Sequence, residues 1–200
     1  MQLHDALSQI SEIRLQMVKS QVFRGYRSAS VGFSGLIAIL CAALQPALAP
    51  HPDQNLRPYL ILWITAAIIS IAAIAFEMIL RGRRSPLAAQ HTILAVEQFL
   101  PCLVAGALLS YVLFRYIPEA CWMLPGLWAI FFSLGAYASG RLLPRPLFWV
   151  AGFYLLAGCL CLIYGGGAAR YSPWLMGLPF GVGQLLTAAI LYWTLERKHA

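Results

Sequence analysis

Residues 58–80 read PYLILWITAAIISIAAIAFEMIL, 23 residues in which the sole formal charge is Glu77. As helix such a run is about 35 Å long, and roughly 20 apolar residues suffice to cross the hydrocarbon of a bilayer. Lipid offers no partner to an unpaired backbone N–H or C=O, so a run inside it has to be helical. Five more runs of similar character flank it, at residues 29–48, 92–114, 121–139, 147–164 and 175–195, parted by short basic or Pro/Gly-rich joints. The pattern predicts an all-α integral membrane protein: a six-helix transmembrane bundle over residues 28–196, a cytoplasmic segment 1–27 before it and a short cytoplasmic tail 197–200 after it.

Hydrophobic residues make up 60% of the chain and charged residues 10%, against about a quarter charged in a soluble domain. Lys plus Arg number 14 against 7 Asp plus Glu, a basic balance that would fit a nucleic-acid partner if the charges formed one surface. They lie instead between the spans. Arg14, Lys19, Arg24 and Arg27 precede span one, Arg81, Arg83 and Arg84 follow span two, Arg141 and Arg145 join spans four and five, and Arg197 and Lys198 end the chain. The other set of joints holds only Arg57, Arg115 and Arg170. By the positive-inside bias both termini lie in the cytoplasm, with the protein in the cytoplasmic (inner) membrane. The partner implied by the charge is the anionic leaflet of the bilayer, not nucleic acid.

Ala47-Leu48-Ala49 has the small-x-small form of a signal-peptide cleavage site. The polar segment ahead of span one is too long for a signal peptide's basic leader, and Pro50 would follow the cut, so span one is expected to stay. Cys41, Cys102, Cys121, Cys159 and Cys161 are an odd set scattered in or beside apolar runs, which is no disulfide framework. Cys159 and Cys161 are two residues apart and point to different faces of a helix, a poor metal pair.

Ahead of span one, Leu3, Ala6, Ile10, Ile13 and Met17 recur at three- and four-residue steps, with Asp5, Gln9, Glu12, Gln16 and Lys19 on the other side. This is an amphipathic helix. Its seam, with Leu3, Ile10, Ile13 and Met17 as contacts, fits the membrane surface, the underside of the bundle, a cytoplasmic protein partner or a second copy of the chain as a homodimer.

Four landmarks occur in the same order in each half. Gly35-Leu36-Ile37-Ala38-Ile39 is echoed by Gly126-Leu127-Trp128-Ala129-Ile130, Arg57-Pro58 by Arg145-Pro146, Arg83-Arg84-Ser85-Pro86 by Arg170-Tyr171-Ser172-Pro173, and Leu100-Pro101 by Leu178-Pro179. Two halves of three spans would be related upside down, the 3+3 inverted repeat of many secondary transporters. Against this stand the short matches that a Leu-, Ala-, Gly- and Pro-rich chain yields by chance, and unequal joints before spans three and six.

Ionisable residues inside a membrane are costly and mark functional sites. Glu97 lies about 7 to 8 Å into span three and Glu77 about 6 Å into the same end of span two at helical rise. They are placed to face one another, Arg141 or His91, to share a proton or to hold a cation. Glu77 also precedes Arg81 by four residues, a helical ion-pair spacing. Beside Glu97 stand Gln98 and Pro101, whose ring frees a backbone carbonyl one turn back. Span six offers Gly177, Pro179, Gly181 and Gly183, which loosen a helix or let another approach closely, and Gln184 places an amide deep in the run. Ala66, Ser70 and Ala73 form a small-residue seam on span two. Tyr59, Trp63, Tyr116, Trp122, Tyr164, Trp174 and Trp193 near span ends read as interfacial anchors.

His4, His51, His91 and His199 are dispersed, and no metal, phosphate-loop or hydrolase motif is present. No enzyme, cofactor or metal is expected. Two functional expectations remain. One is a small transporter or permease-like protein with a polar site between spans three and six, where Glu97 takes a proton or cation and Gln184 orients a small solute. The other is a membrane-anchored regulatory or binding protein that engages a cytoplasmic partner or a second copy through its amino-terminal helix.

Overall fold

Proline, asparagine and glycine set the ends of the helices. The computed structural model describes residues 28–82, 86–141, 144–167 and 169–196, so the amphipathic helix expected over residues 1–27 and the tail at 197–200 lie outside the described residues. The chain forms α1 (Ser28–Leu48), α2 (Leu56–Gly82), α3 (Pro86–Tyr116), a 3-10 helix (Pro118–Met123) running into α4 (Leu124–Ala138), a 3-10 turn (Ser139–Arg141), α5 (Leu147–Tyr164) and α6 (Trp174–Leu191). A π-helical turn, Tyr192–Glu196, prolongs α6. The described residues contain no strand, and six of the helices are long and apolar enough to cross a membrane. This is a polytopic integral membrane protein in contact with lipid.

Local chemistry explains the boundaries. Pro50 and Pro52 follow α1, and the Asn55 side chain accepts a hydrogen bond from the Arg57 N–H at 3.1 Å, capping the start of α2. Pro86 opens α3 at the position where a missing N–H costs nothing. That start lies six residues before the apolar run at Thr92, because the run measures hydrocarbon whereas the helix continues about 9 Å beyond it. Span four begins as 3-10 helix rather than α-helix, with Pro118 and Pro125 in its opening turns. Gly165 and Gly166 pass close under the Trp122 indole, so the glycine turn after α5 is a close-approach site.

The helices form a ring in chain order, with α6 closing on α1 and α4 also touching α6. The two most extensive pairings, α1 with α6 and α4 with α5, are glycine seams. A Cβ added at Gly35 would lie 3.0 Å from the Gly181 carbonyl oxygen, and Gly177 faces Ala42. A Cβ on Gly126 would lie 2.7 Å from the Gly158 carbonyl, and one on Gly158 2.8 Å from the Gly126 carbonyl. Such approaches raise dispersion between helices where lipid removes the hydrophobic drive. The echoed glycines Gly35 and Gly126 thus both sit in tight seams, but against spans six and five respectively. A half-turn exchanging spans one to three with four to six would set Gly126 against span three, so the echo does not extend from the ring order to the seams.

α2 and α3 are the outlying members. Ile61, Ile68, Phe76, Leu108 and Tyr111 all stand exposed on them, and their contact with each other is slighter than either makes with the rest. Ala66 is buried and Ser70 and Ala73 half-buried, so the small-residue stripe does form the inward side of α2. Replacing Gly158 with Val is expected to lower the stability of the purified protein by about 1–3 kcal/mol through overpacking. Gly140→Ala, whose added methyl meets nothing within 4 Å, should leave thermal unfolding in detergent unchanged.

Candidate functional site

The residues expected to form one site occupy two places. Glu97, Gln98 and Pro101 are exposed on α3, whereas Pro179 and Gln184 are buried on α6. α3 packs on α2 and α4, and α6 on α1, α5 and α4, so Glu97 and Gln184 are not brought together. Phe99, two residues along from Glu97, packs against Gly135 and the Phe132 ring, with centroids 5.1 Å apart. Gly135 precedes Arg141 by six residues, which sets Glu97 about 6 Å along the axis from the level of Arg141. Glu97 makes no hydrogen bond or ion pair with a described residue. The expected partners Arg141 and His91 have side chains outside the described ones. Glu77 is half-buried and already engaged within the chain.

Gln184 lies in the α1–α6 seam, its Cβ 3.1 Å from where a Gly35 Cβ would stand. Next to it, Gly183 receives the end of the Tyr154 ring, and Thr187 donates a hydrogen bond to the Gly183 carbonyl at 2.8 Å. Tyr154 is wholly buried among Phe132, Phe153 and Phe180, and its hydroxyl has no partner among the described residues.

The most developed polar arrangement sits at the opposite end, where the joints α1–α2, α3–α4 and α5–α6 meet. Gln45, 2% exposed, accepts from the Trp63 indole N–H at 2.9 Å and donates from Nε2 to the Tyr171 carbonyl at 2.8 Å. Tyr171 has φ of 57°, a left-handed backbone that strains a bulky residue. It is held there by the Gln45 bond, by burial, and by edge-on packing against Tyr59 at 5.4 Å. Burial pushes the Tyr171 phenol above its ordinary pKa, and the adjacent Arg170 guanidinium opposes that rise. Arg170 spans all three joints: it stacks over the Tyr171 ring at 5.3 Å, donates to the Glu119 carbonyl at 2.7 Å and stands 3.9 Å from Asp53. Tyr59, 1% exposed, has a hydroxyl with no partner among the described residues.

In comparisons with known proteins, no family model, no curated protein and no solved structure matches this chain.

One expectation about side chains is corrected. Tyr59 and Trp63 are 1% and 3% exposed and belong to the core rather than to an interfacial belt, because Gln45 supplies the bond that lets an indole leave the interface. Tyr116, Tyr164, Trp174 and Trp193 do stand exposed at helix ends. Cys159 is exposed and Cys161 buried, with its thiol bonded to the Leu175 carbonyl at 3.3 Å, so the two diverge as the spacing requires. Sequence reading missed Gln45, although a lone amide near the end of an apolar run is the same signal that singles out Gln184. Gln45→Leu is expected to destabilise the protein by about 1–3 kcal/mol by orphaning the Trp63 N–H and the Tyr171 carbonyl. The double variant Gln45→Leu/Trp63→Phe should recover part of that loss in the same thermal-unfolding measurement.

Proposed function

We propose that this protein is a membrane-embedded binding or regulatory protein, in which the bundle anchors and positions contact surfaces for a cytoplasmic partner or a second copy. The observation that supports this reading is the outward placement of Glu97 and Gln98 on α3, the helix least enclosed by the rest of the chain. A carboxylate and an amide on successive residues, about 100° apart around an exposed helix and close to the basic end, are suited to engage something beside the protein rather than a solute within it. The amphipathic segment 1–27 belongs to the same end by the distribution of Arg and Lys, with both termini cytoplasmic. Its seam, Leu3, Ile10, Ile13 and Met17, is the natural contact. Charging it with Ile10→Glu and Ile13→Glu is expected to release a co-purifying protein or halve the particle mass in multi-angle light scattering. An unchanged mass and an unchanged set of co-purifying proteins would overturn the reading.

A second reading, proton- or cation-linked transport of a small solute, is favoured by one feature: Gln184, 9% exposed beside the glycines and Pro179 of α6, makes no hydrogen bond with its amide to a described residue. Under that reading, proteoliposomes challenged with a panel of small solutes should show a solute-dependent pH change that Glu97→Gln and Gln184→Leu abolish. A silent panel would leave the binding reading alone.

A further inference from the structure

At the basic end, between the close of α4 and the start of α5, lies a cleft of about 260 Å³ lined by Tyr137, Gly140, Pro144, Arg145, Phe148 and Trp149 among others. We propose that this cleft binds the phosphate of an anionic phospholipid, with the acyl chains lying along the outer surface of α5.

Four features converge on that ligand. The cleft lies at the level where the span over Leu147–Tyr164 begins, which is where a phospholipid presents its headgroup. Its exposed cation is Arg145, whose planar guanidinium is suited to paired hydrogen bonds with phosphate oxygens. Tyr137, on the facing helix, walls the cleft with its ring, while its hydroxyl points away from Arg145 and deeper into the span. It is held in place by edge-on packing of its ring against Phe148 at 4.9 Å and by its approach to Gly152, where an added Cβ would lie 3.2 Å from the hydroxyl oxygen. Finally, Trp149 is 79% exposed and Phe148 61%, an apolar wall where headgroup gives way to acyl chain. Aromatic rings of that kind settle at the membrane interface.

The first turn of α5 itself supplies no anion site. The N–H groups of Leu147, Phe148 and Trp149 are bonded to the carbonyls of Pro144, Arg145 and Pro146, so recognition falls to the side chains. A volume of about 260 Å³ is below the roughly 300–1,000 Å³ of sites that enclose a whole drug-sized ligand. It suits a headgroup whose tails remain outside. Basic pockets between transmembrane helices on the positive side of a membrane hold anionic headgroups by this chemistry.

The full-length protein in detergent, titrated with dioleoyl-phosphatidylglycerol or dioleoyl-phosphatidylcholine and read by native mass spectrometry, tests the assignment. The phosphatidylglycerol adduct is expected to be preferred, to be weakened about fivefold by Arg145→Gln, and to be weakened less by Arg145→Lys, which keeps the charge and loses the paired hydrogen bonds. Arg115→Gln, at the other end of the bundle, should leave it unchanged, and Trp149→Ala should weaken both lipids. Equal binding of the two lipids, or equal effects of Arg145→Gln and Arg115→Gln, would overturn the proposal. Displacement of the lipid by millimolar inorganic phosphate would assign the cleft to a soluble phosphate compound and overturn it too. Thermal unfolding of each variant separates loss of the site from loss of fold, and Arg145 is exposed enough that its replacement disturbs no core contact.

Discussion

Hydrocarbon has no hydrogen-bond donors or acceptors to offer, and this protein is organised by how its polar side chains meet that constraint. Ser110 bonds to the Gly106 carbonyl one turn back and receives the Trp128 indole N–H, tying α3 to α4. Ser133 reaches from α4 to the Ala151 carbonyl of α5 at 2.7 Å. Gln45 joins α1 to α2 and to the α5–α6 joint. The interhelical bonds among these connect neighbours around the ring, and so help to set which helices lie side by side. A bond of this kind is worth only about 1 kcal/mol in a membrane, and the glycine seams supply the close packing that the bonds orient.

The two ends of the bundle are built differently. At the end with few basic residues, Arg170 and Gln45 gather three joints into one arrangement, buried at Gln45 and Tyr171 and exposed at Arg170, that holds Tyr171 in a backbone conformation it would not keep alone. At the basic end Arg145, Phe148 and Trp149 stand exposed where α5 begins.

What the sequence makes legible follows from the length scale of each signal. Twenty apolar residues and a bilayer have the same thickness, so the spans can be read to within a few residues; α3 overran its apolar run because helix propensity and Pro86 act beyond the hydrocarbon. Small residues at four-residue spacing in α6 foretold close packing, and Gly177 and Gly181 do face α1. Which helix faces which is a long-range fact with no periodic signature, and the pairing of Glu97 with Gln184 depended on it. Tyr59 and Trp63 misled for a related reason. An aromatic near a span end can be wet or buried; for Trp63 the choice is made by Gln45 on the neighbouring helix, and for Tyr59 by packing against Tyr171, far away in sequence.

The same constraint separates Glu97 from Gln45. Gln45 has both ends of its amide bonded and is almost inaccessible, so it is complete within one chain. Glu97 and Gln98 face outward on a helix with little enclosing contact, which leaves their hydrogen-bonding capacity for whatever lies against α3. Were they structural, the economical arrangement would be the one used for Ser133, a short reach to a neighbouring carbonyl. Burial within the bundle identifies the groups that make the fold, and Glu97 and Gln98 are not among them.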